Sequence, residues 1–188
     1  MDVIKEQNRM KNTMRAQIRE AEGHHVVAEV EGGAESHSIY FTSDDLPLKL
    51  SGDALVAMSL LPAMKAGKDL VLNTHVSRRL LSSIATLQDI YTAWHPNLHR
   101  TAIKGATPIQ KESAGQQGVA CFFSGGLDSF YTFLKHREEI THLIFIYPFD
   151  GLTEDAAFIQ RKIEAIRAVV AQFGKDVIVV ETNLRSFL

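Results

Sequence analysis

Apolar residues in the first half of the chain alternate between short runs and a helical stripe. Residues 26–30 and 38–41 are rich in β-branched and aromatic side chains, and Gly32 and Gly33 lie between them. This arrangement predicts an antiparallel hairpin or meander. Apolar side chains within residues 53–64 then recur at helical spacing, which predicts a helix that ends near a glycine.

Two further elements follow in this half. Residues 70–72 form an apolar run typical of a strand. Ser77 is a candidate N-cap for a helix that continues to about Trp94, and Pro96 would end it. We therefore predict a small α+β module over residues 1–104, with a role in substrate recognition or in interaction with a partner.

The first twenty residues are polar and locally basic. Basic side chains occur there among acidic ones: Lys5, Arg9, Lys11, Arg15 and Arg19. Because both charge signs are present, the pattern favours a solvated helix or a disordered arm over a nucleic-acid-binding segment. The formal net charge of −2 for the whole chain likewise gives no electrostatic argument for nucleic acid.

The pattern changes after residues 105–117, which hold Gly, Pro, Ser, Thr and Gln without periodicity and predict a linker. Three continuous apolar runs follow, as expected of strands buried on both faces of a parallel sheet. These runs are residues 119–123, 143–147 and 177–180.

Two helices are predicted between these strands. The first carries the apolar stripe Leu127, Phe130, Tyr131 and Leu134. The second covers residues 158–173 and ends at Gly174. The order β-α-β-α-β predicts a doubly wound, Rossmann-like parallel sheet over residues 118–188, so that the fold class is α/β.

Three strands are fewer than the five or six of most doubly wound sheets. We expect this sheet to be incomplete at residue 188, with apolar surface left open around Phe187 and Leu188. A missing C-terminal part of a longer protein would complete it, or another chain would do so in an oligomer.

Composition narrows the cellular setting. Apolar residues make up 45% of the chain and charged residues 22%, and no apolar run is long enough to cross a membrane. The N-terminus has no secretory signal pattern. The single cysteine, Cys121, excludes an internal disulfide framework, and its position within a strand favours a small buried residue over a nucleophile. We predict a cytoplasmic protein.

The loop between the first strand and the first helix of this second half carries the candidate chemistry. It reads Ser124, Gly125, Gly126, Leu127, Asp128 and Ser129. Backbone N–H groups are free at a helix N-terminus, and adjacent glycines let a phosphate approach them closely. The serine hydroxyls add donors, while Asp128 could hold Mg²⁺ or shape the loop. Neither a Walker A ending nor a dinucleotide-binding glycine pattern is present.

Ser-Gly-Gly-Leu-Asp-Ser, placed after an apolar strand and at the start of a helix, resembles the signature of the PP-loop superfamily, the N-type ATP pyrophosphatases of HUP-type fold. That superfamily includes GMP and NAD synthetases, tRNA thiolation enzymes and 7-cyano-7-deazaguanine synthase. The resemblance implies ATP and Mg²⁺ as cofactors, adenylation of a substrate oxygen with loss of pyrophosphate, and then amide or sulfur transfer. It leaves open whether the acceptor is a small molecule or a tRNA.

The resemblance also implies roles for particular residues. Pyrophosphate would be gripped by the loop residues Ser124, Gly125, Gly126, Asp128 and Ser129. Asp128 and Ser129 would be catalytic, with Asp128 as the Mg²⁺ ligand. The main chain at Phe123, Ile146 and Tyr147, close to the strand ends, would lie against adenosine.

Other readings stay open at this point. The loop could be a glycine turn that binds nothing, or it could belong to a non-catalytic nucleotide-binding or interaction module. Three more polar residues follow the predicted strands at the same edge of the sheet. Asp150 is a candidate ribose or Mg²⁺ contact or a turn residue. Asn183 and Arg185 follow the third strand, and Arg185 is a candidate phosphate or substrate contact.

Overall fold

The computed structural model describes residues 12–33, 35–110, 118–147 and 155–187. Within these ranges ten strands and five helices follow one another. In chain order they are β1 (Thr13–Glu20), β2 (Glu22–Gly23), β3 (His25–Gly32), β4 (Glu35–Thr42), β5 (Leu48–Lys49), α1 (Gly52–Ala66), β6 (Asp69–Ser77), α2 (Arg78–Trp94), β7 (Ile103–Ile109), β8 (Ala120–Phe122), α3 (Leu127–Lys135), β9 (His142–Tyr147), α4 (Ala156–Ala171), β10 (Asp176–Thr182) and α5 (Leu184–Phe187).

Eight of the strands form one mixed sheet, in the order β7-β6-β1-β3-β4-β10-β9-β8. The three strands at each end are parallel to one another, whereas the pairs β1–β3, β3–β4 and β4–β10 are antiparallel. The fold is therefore mixed α/β. The predicted α+β module and the predicted parallel sheet share this one sheet, because β4 pairs with β10.

The hairpin and the capped helices were predicted correctly. β3 and β4 pair along their full length, from His25 opposite Thr42 to Gly32 opposite Glu35. Helix α1 ends at Gly67, whose left-handed backbone allows its N–H to reach the last carbonyls. The Ser77 hydroxyl accepts a hydrogen bond from the N–H of Leu80, so that Ser77 caps α2 as expected.

The helices cover opposite faces at the two ends of the sheet. The core beneath α1 and α2 contains the inward side chains of β1, β3, β4 and β6, including Ile39. The core beneath α3 and α4 contains Phe133 and Ile166 together with residues of β9 and β10. Paired residues of neighbouring strands share a face, and Thr182 is paired with Phe41, which packs on the α1 side. Val177 packs beneath α4 and lies an odd number of residues from Thr182, so α4 covers the other face.

The N-terminal segment departs from its prediction. Arg15 and Arg19 lie on β1, a strand inside the sheet, and not on a solvated helix or arm. Met14 and Ala16, on either side of Arg15 in the sequence, are buried, so β1 has the period-2 alternation of a half-buried strand. Lys5, Arg9 and Lys11 lie outside the described residues.

The predicted linker is wrong over its first residues, because Ile103–Ile109 forms β7 at one end of the sheet. Gly105 has a φ of 73°, and a Cβ there would approach the Leu72 carbonyl oxygen to 2.1 Å. Pro108 is tolerated because β7 pairs on only one side among the described strands. Because of Gly105 and Pro108, the sequence pattern did not reveal strand β7. Residues 111–117 of the linker lie outside the described residues.

The burial predicted for strand β8 and helix α3, in the second half of the chain, is partly wrong. Strand β8 was expected to be buried on both faces, yet Phe122 is exposed. Only one residue of the predicted stripe of α3 packs in the core, since Phe130 contacts Phe123 whereas Leu127, Tyr131 and Leu134 are exposed. The buried residue of this helix is Phe133. The spacing therefore identified the helix correctly but not the side of the helix that packs, because the buried side chain is that of Phe133.

The end of the described chain is less open than expected. Helix α5 follows β10 directly, and Leu184 and Phe187 pack against the core beneath α1. The ring of Phe187 lies 5.2 Å from the ring of His37. Phe187 therefore does not leave an open apolar surface, and Leu188 lies outside the described residues.

Candidate functional site

The loop Ser124–Ser129 joins the end of β8 to the start of α3, as the sequence predicted. The N–H of Phe123 donates to the Ile144 carbonyl 2.8 Å away and ends the pairing of β8 with β9. Because β8, β9 and β10 are parallel, the loop lies at the edge of the sheet where all three strands end. In open α/β sheets ligands bind at this edge.

Hydrogen bonds inside the loop hold it in a tight turn. The Ser129 hydroxyl donates to the Gly126 carbonyl at 2.8 Å, and the Gly126 N–H donates to Ser124 Oγ at 3.4 Å. The two serine oxygens lie 3.5 Å apart. Gly125 has a φ of 80°, in the left-handed region that a residue with a side chain rarely adopts.

Three backbone N–H groups open α3. The first hydrogen bond of the helix runs from the Phe130 N–H to the Gly126 carbonyl at 3.0 Å. The N–H groups of Leu127, Asp128 and Ser129 precede that bond, as at any helix N-terminus, and these groups attract anions. A Cβ at Gly126 would meet only Ser124 Oγ, at 3.5 Å, so the space in front of Gly126 is open. This geometry fits a phosphate group.

The Asp128 carboxylate is exposed in the first turn of α3. Within the part of the chain that the structure describes, no three His, Cys, Asp or Glu side chains are grouped as metal ligands. Mg²⁺ at Asp128 would therefore take most of its oxygen ligands from phosphate and water, which is a usual arrangement for this ion.

The residues predicted to contact adenosine are less accessible. The ring of Phe123 is buried against Phe130 and Phe133, and its N–H is bonded to β9. The predicted adenosine contact of Phe123 is therefore limited to its backbone carbonyl. Ile146 and Tyr147 are half-buried at the end of β9.

A second polar cluster lies at the same edge, and sequence reasoning did not find it. The Glu181 carboxylate accepts hydrogen bonds from the hydroxyls of Tyr40 and Tyr147, each at 3.1 Å. Burial, with the negative charge of Glu181, raises the pKa of Tyr147 to about 12, and the same causes raise the pKa of Tyr40. The sequence feature that could have revealed this cluster was an acidic residue, Glu181, directly after the apolar run Val177–Val180.

Tyr147 and Glu181 of this cluster line a groove of about 400 Å³ between β4 and α4. The groove is lined in part by Asp44, Tyr147, Glu164 and Glu181. Asp45 and Arg167 also line it and form an ion pair across it. Both halves of the chain therefore contribute to the wall of this groove, whereas the loop Ser124–Ser129 does not line it.

The remaining candidates have structural partners or lie outside the described residues. The Asn183 side chain accepts from the Tyr40 N–H at 2.9 Å and donates to the Ser38 carbonyl at 2.8 Å, so it extends the pairing of β10 with β4. Arg185 lies on α5, which packs along β4. Cys121 is half-buried with its thiol 3.4 Å from the Phe122 carbonyl. Asp150 is outside the described residues.

Comparison of the chain with models of known protein families, with curated proteins and with solved structures found no match. Among the helices of the described ranges, none combines the length and the apolar character that a bilayer crossing requires.

Proposed function

We propose that this chain binds ATP with its pyrophosphate end on the loop Ser124–Ser129 and belongs to the PP-loop class. The observation that carries the proposal is the loop itself, which has the sequence Ser-Gly-Gly-Leu-Asp-Ser and joins a parallel strand to a helix N-terminus. We further propose that β8, β9 and β10 with α3 and α4 are part of a Rossmann-like, HUP-type sheet.

The groups of the loop would have different roles in binding ATP. The N–H groups of Leu127, Asp128 and Ser129 would bind the phosphate oxygens, with help from the helix dipole. The absence of a side chain at Gly126 would let the phosphate come close. Asp128 would hold the Mg²⁺ that bound ATP carries, and that ion would neutralise the charge of the leaving pyrophosphate.

The proposed reaction is adenylation of an acceptor, followed by amide or sulfur transfer. The acceptor is a small molecule or a tRNA, and the module formed by β1 to β7 would take part in recognising it. Support for this assignment of the module comes from the groove between β4 and α4, whose wall includes Asp44 of that module and Glu164 of α4.

The experiment is a binding titration with Mg-ATP, followed by heat denaturation. ATP that binds only the folded chain should raise its melting temperature, by an amount that grows with the logarithm of the ATP concentration. Gly126→Val should abolish this rise, because its side chain fills the space in front of the N–H groups. Thr132→Val, an exposed position on the same helix, is the matched control and should leave the rise unchanged.

Two results would count against the proposal. One is an unchanged melting temperature with millimolar Mg-ATP for the wild-type chain. The other is an equal rise for the wild type and for Gly126→Val. If turnover is found with any acceptor, its products should be AMP and pyrophosphate, and formation of ADP and phosphate would contradict adenylation.

A non-catalytic nucleotide-binding module is the second candidate. The loop geometry fits this candidate equally, because the N–H groups at the start of α3 bind a phosphate whether or not chemistry follows. This candidate predicts the same binding and the same loss with Gly126→Val, but no AMP under any condition.

A further inference from the structure

Strand β10 is paired along its length on one side but only at its end on the other side. Its parallel pairing with β9 runs from Asp176 to Glu181. Its antiparallel pairing with β4 covers Glu181 and Thr182 alone. Among the strands of the described ranges, none pairs with residues 176–180 on the β4 side. This part of β10 is therefore an open strand edge at the junction of the two halves of the sheet.

Backbone groups at this edge point into the space that β4 leaves. The Val179 N–H donates to the Asp45 carboxylate at 2.7 Å, so it faces away from β9. Residues two apart in a strand direct their N–H and C=O groups to the same side, so Val177 presents both of its groups to this space. Such an edge is a template for an added strand. The Asp45 carboxylate stands where one carbonyl of that strand would lie.

Two cavities follow the edge. One has a volume of about 460 Å³ and is lined by residues 176–178 of β10. The other is the groove of about 400 Å³ described above, which is lined by Val179 and Glu181 of the same strand. Asp45 and Arg167 line both cavities, so the two meet at this ion pair. Together they leave room along the length of the open edge.

The wall of the 400 Å³ groove carries an excess of negative charge. Asp44, Glu164 and Glu181 line it, and none of the three forms an ion pair with a cation of the described residues. Arg167, a cation in the same wall, is already bonded to Asp45. Opposite charges across an interface favour association and fix its register. A ligand for this groove should therefore be positively charged.

We propose that the open edge of β10 binds an extended basic segment of a partner protein, which adds as a strand antiparallel to β10 beside residues 176–180. This inference goes beyond the proposed function and does not depend on it. The segment takes up the pairing that β4 leaves, and β4 is itself antiparallel to β10. Five residues of strand span about 16 Å. A carbonyl of the segment replaces the Asp45 carboxylate at the Val179 N–H.

The two faces of the added strand meet different surroundings. Val179 packs beneath α4, and Glu181, two residues further on, shares that face. Glu164 of α4 lines the groove on the same side. Ile178 and Val180 lie on the other face of β10. Because paired residues share a face, the segment should carry basic side chains towards α4 and apolar side chains between them.

The direction of the segment sets which of its residues are basic. In an antiparallel strand the first residues lie near Glu181 and the last residues lie near the start of β10. Lys175 lines the 460 Å³ cavity at that start and would repel a basic side chain. The basic residues should therefore be in the first half of the segment.

The probe is the hexapeptide Lys-Val-Lys-Val-Ser-Val, blocked at both ends. The reversed sequence Val-Ser-Val-Lys-Val-Lys is the matched control, with the same composition and alternation. Calorimetric titration to about 1 mM peptide, without nucleotide, should show binding of the first peptide. Binding of the reversed peptide should be about tenfold weaker, because its two lysines lie near Lys175 and not near the carboxylates.

Two further readouts locate the bound peptide. Glu164→Lys should weaken binding about three- to tenfold, since one attraction becomes a repulsion. Glu138→Lys is the matched control, a carboxylate 89% exposed in the turn after α3, and should leave binding unchanged. Hydrogen exchange of the Val177 amide, measured by NMR, should slow about tenfold at a peptide concentration ten times the dissociation constant.

Several results would overturn the proposal. One is the absence of binding at 1 mM peptide, and another is equal binding of the two peptides. Binding that Glu164→Lys leaves unchanged, or that does not slow exchange of the Val177 amide, would place the peptide elsewhere. Equal affinity for lysine amide and for the hexapeptide would identify a small cation as the ligand, and would also contradict strand addition.

Discussion

Replacement of Asp45 tests how the two halves of the sheet are joined. The Asp45 carboxylate accepts hydrogen bonds from the Arg167 guanidinium at 2.7 and 3.0 Å and from the N–H of Val179 at 2.7 Å. Asp45 follows β4, whereas Arg167 lies on α4 and Val179 on β10. Since β4 and β10 pair directly at only two positions, this carboxylate is a large part of the junction.

The expected loss can be worked from these contacts. A hydrogen bond from a backbone N–H to a carboxylate contributes about 1.5–3 kcal/mol, and a solvent-accessible ion pair at most about 1 kcal/mol. The Asp45 side chain is 22% exposed and that of Arg167 is half exposed, so values near the lower ends apply. We expect Asp45→Ala to lower the free energy of unfolding by about 2 kcal/mol, and Asp45→Asn by about 1 kcal/mol, because the amide keeps an acceptor for Val179.

Urea denaturation followed by circular dichroism measures both changes. Asp44→Ala is the matched control, an adjacent exposed carboxylate, and should change stability by less than about 0.5 kcal/mol. Equal losses for Asp44→Ala and Asp45→Ala would refute this account of the junction, as would an unchanged midpoint for Asp45→Ala.

Three further predictions follow from single contacts. Gly125→Ala should lower the free energy of unfolding by about 1–2 kcal/mol, since its φ of 80° disfavours a Cβ, and an unchanged urea midpoint would contradict the loop conformation. Gln88→Ala should cost about 2–4 kcal/mol in the same assay, because the buried Gln88 amide bonds both the N–H and the C=O of Thr101, and a loss below 1 kcal/mol would contradict it. Tyr147→Phe should cost about 1 kcal/mol near neutral pH and reduce the pH dependence in alkali. The pKa of Tyr147 is raised from 10.0 to about 12, so this tyrosine stabilises the fold below pH 10 and loses that effect as the pH rises towards 12. If stability declined in alkali as steeply in Tyr147→Phe as in the wild type, this reasoning would be refuted.

Local sequence patterns predicted most helices and strands, because the formation of these elements depends on residues that are neighbours in the sequence. Ser77 and the apolar spacing after it located α2, and the glycines between two apolar runs located the β3–β4 hairpin. Strand β1 had the same kind of signal, with Met14 and Ala16 alternating with polar residues, but its arginines drew attention to charge instead. In β7 the signal was weaker, because Gly105 and Pro108 interrupt the alternation.

Contacts between distant residues could not be predicted in this way. The spacing in α3 defined a helix but not which side packs, since that depends on distant residues such as Phe173, in the turn after α4. The Glu181 cluster joins residues 141 positions apart, from Tyr40 to Glu181. The loop at 124–129 was located correctly between a strand and a helix because motif, strand and helix are adjacent in sequence. Its ligand remains a proposal.

The most direct measurement of the central claim is a calorimetric titration of Mg-ATP into the wild-type chain, repeated in the presence of Mg-pyrophosphate. If the loop Ser124–Ser129 holds the pyrophosphate end of ATP, saturating pyrophosphate should abolish the ATP binding signal, and Gly126→Val should bind neither ligand. ATP binding that persists unchanged at saturating pyrophosphate, or that is absent altogether at millimolar Mg-ATP, would contradict the account.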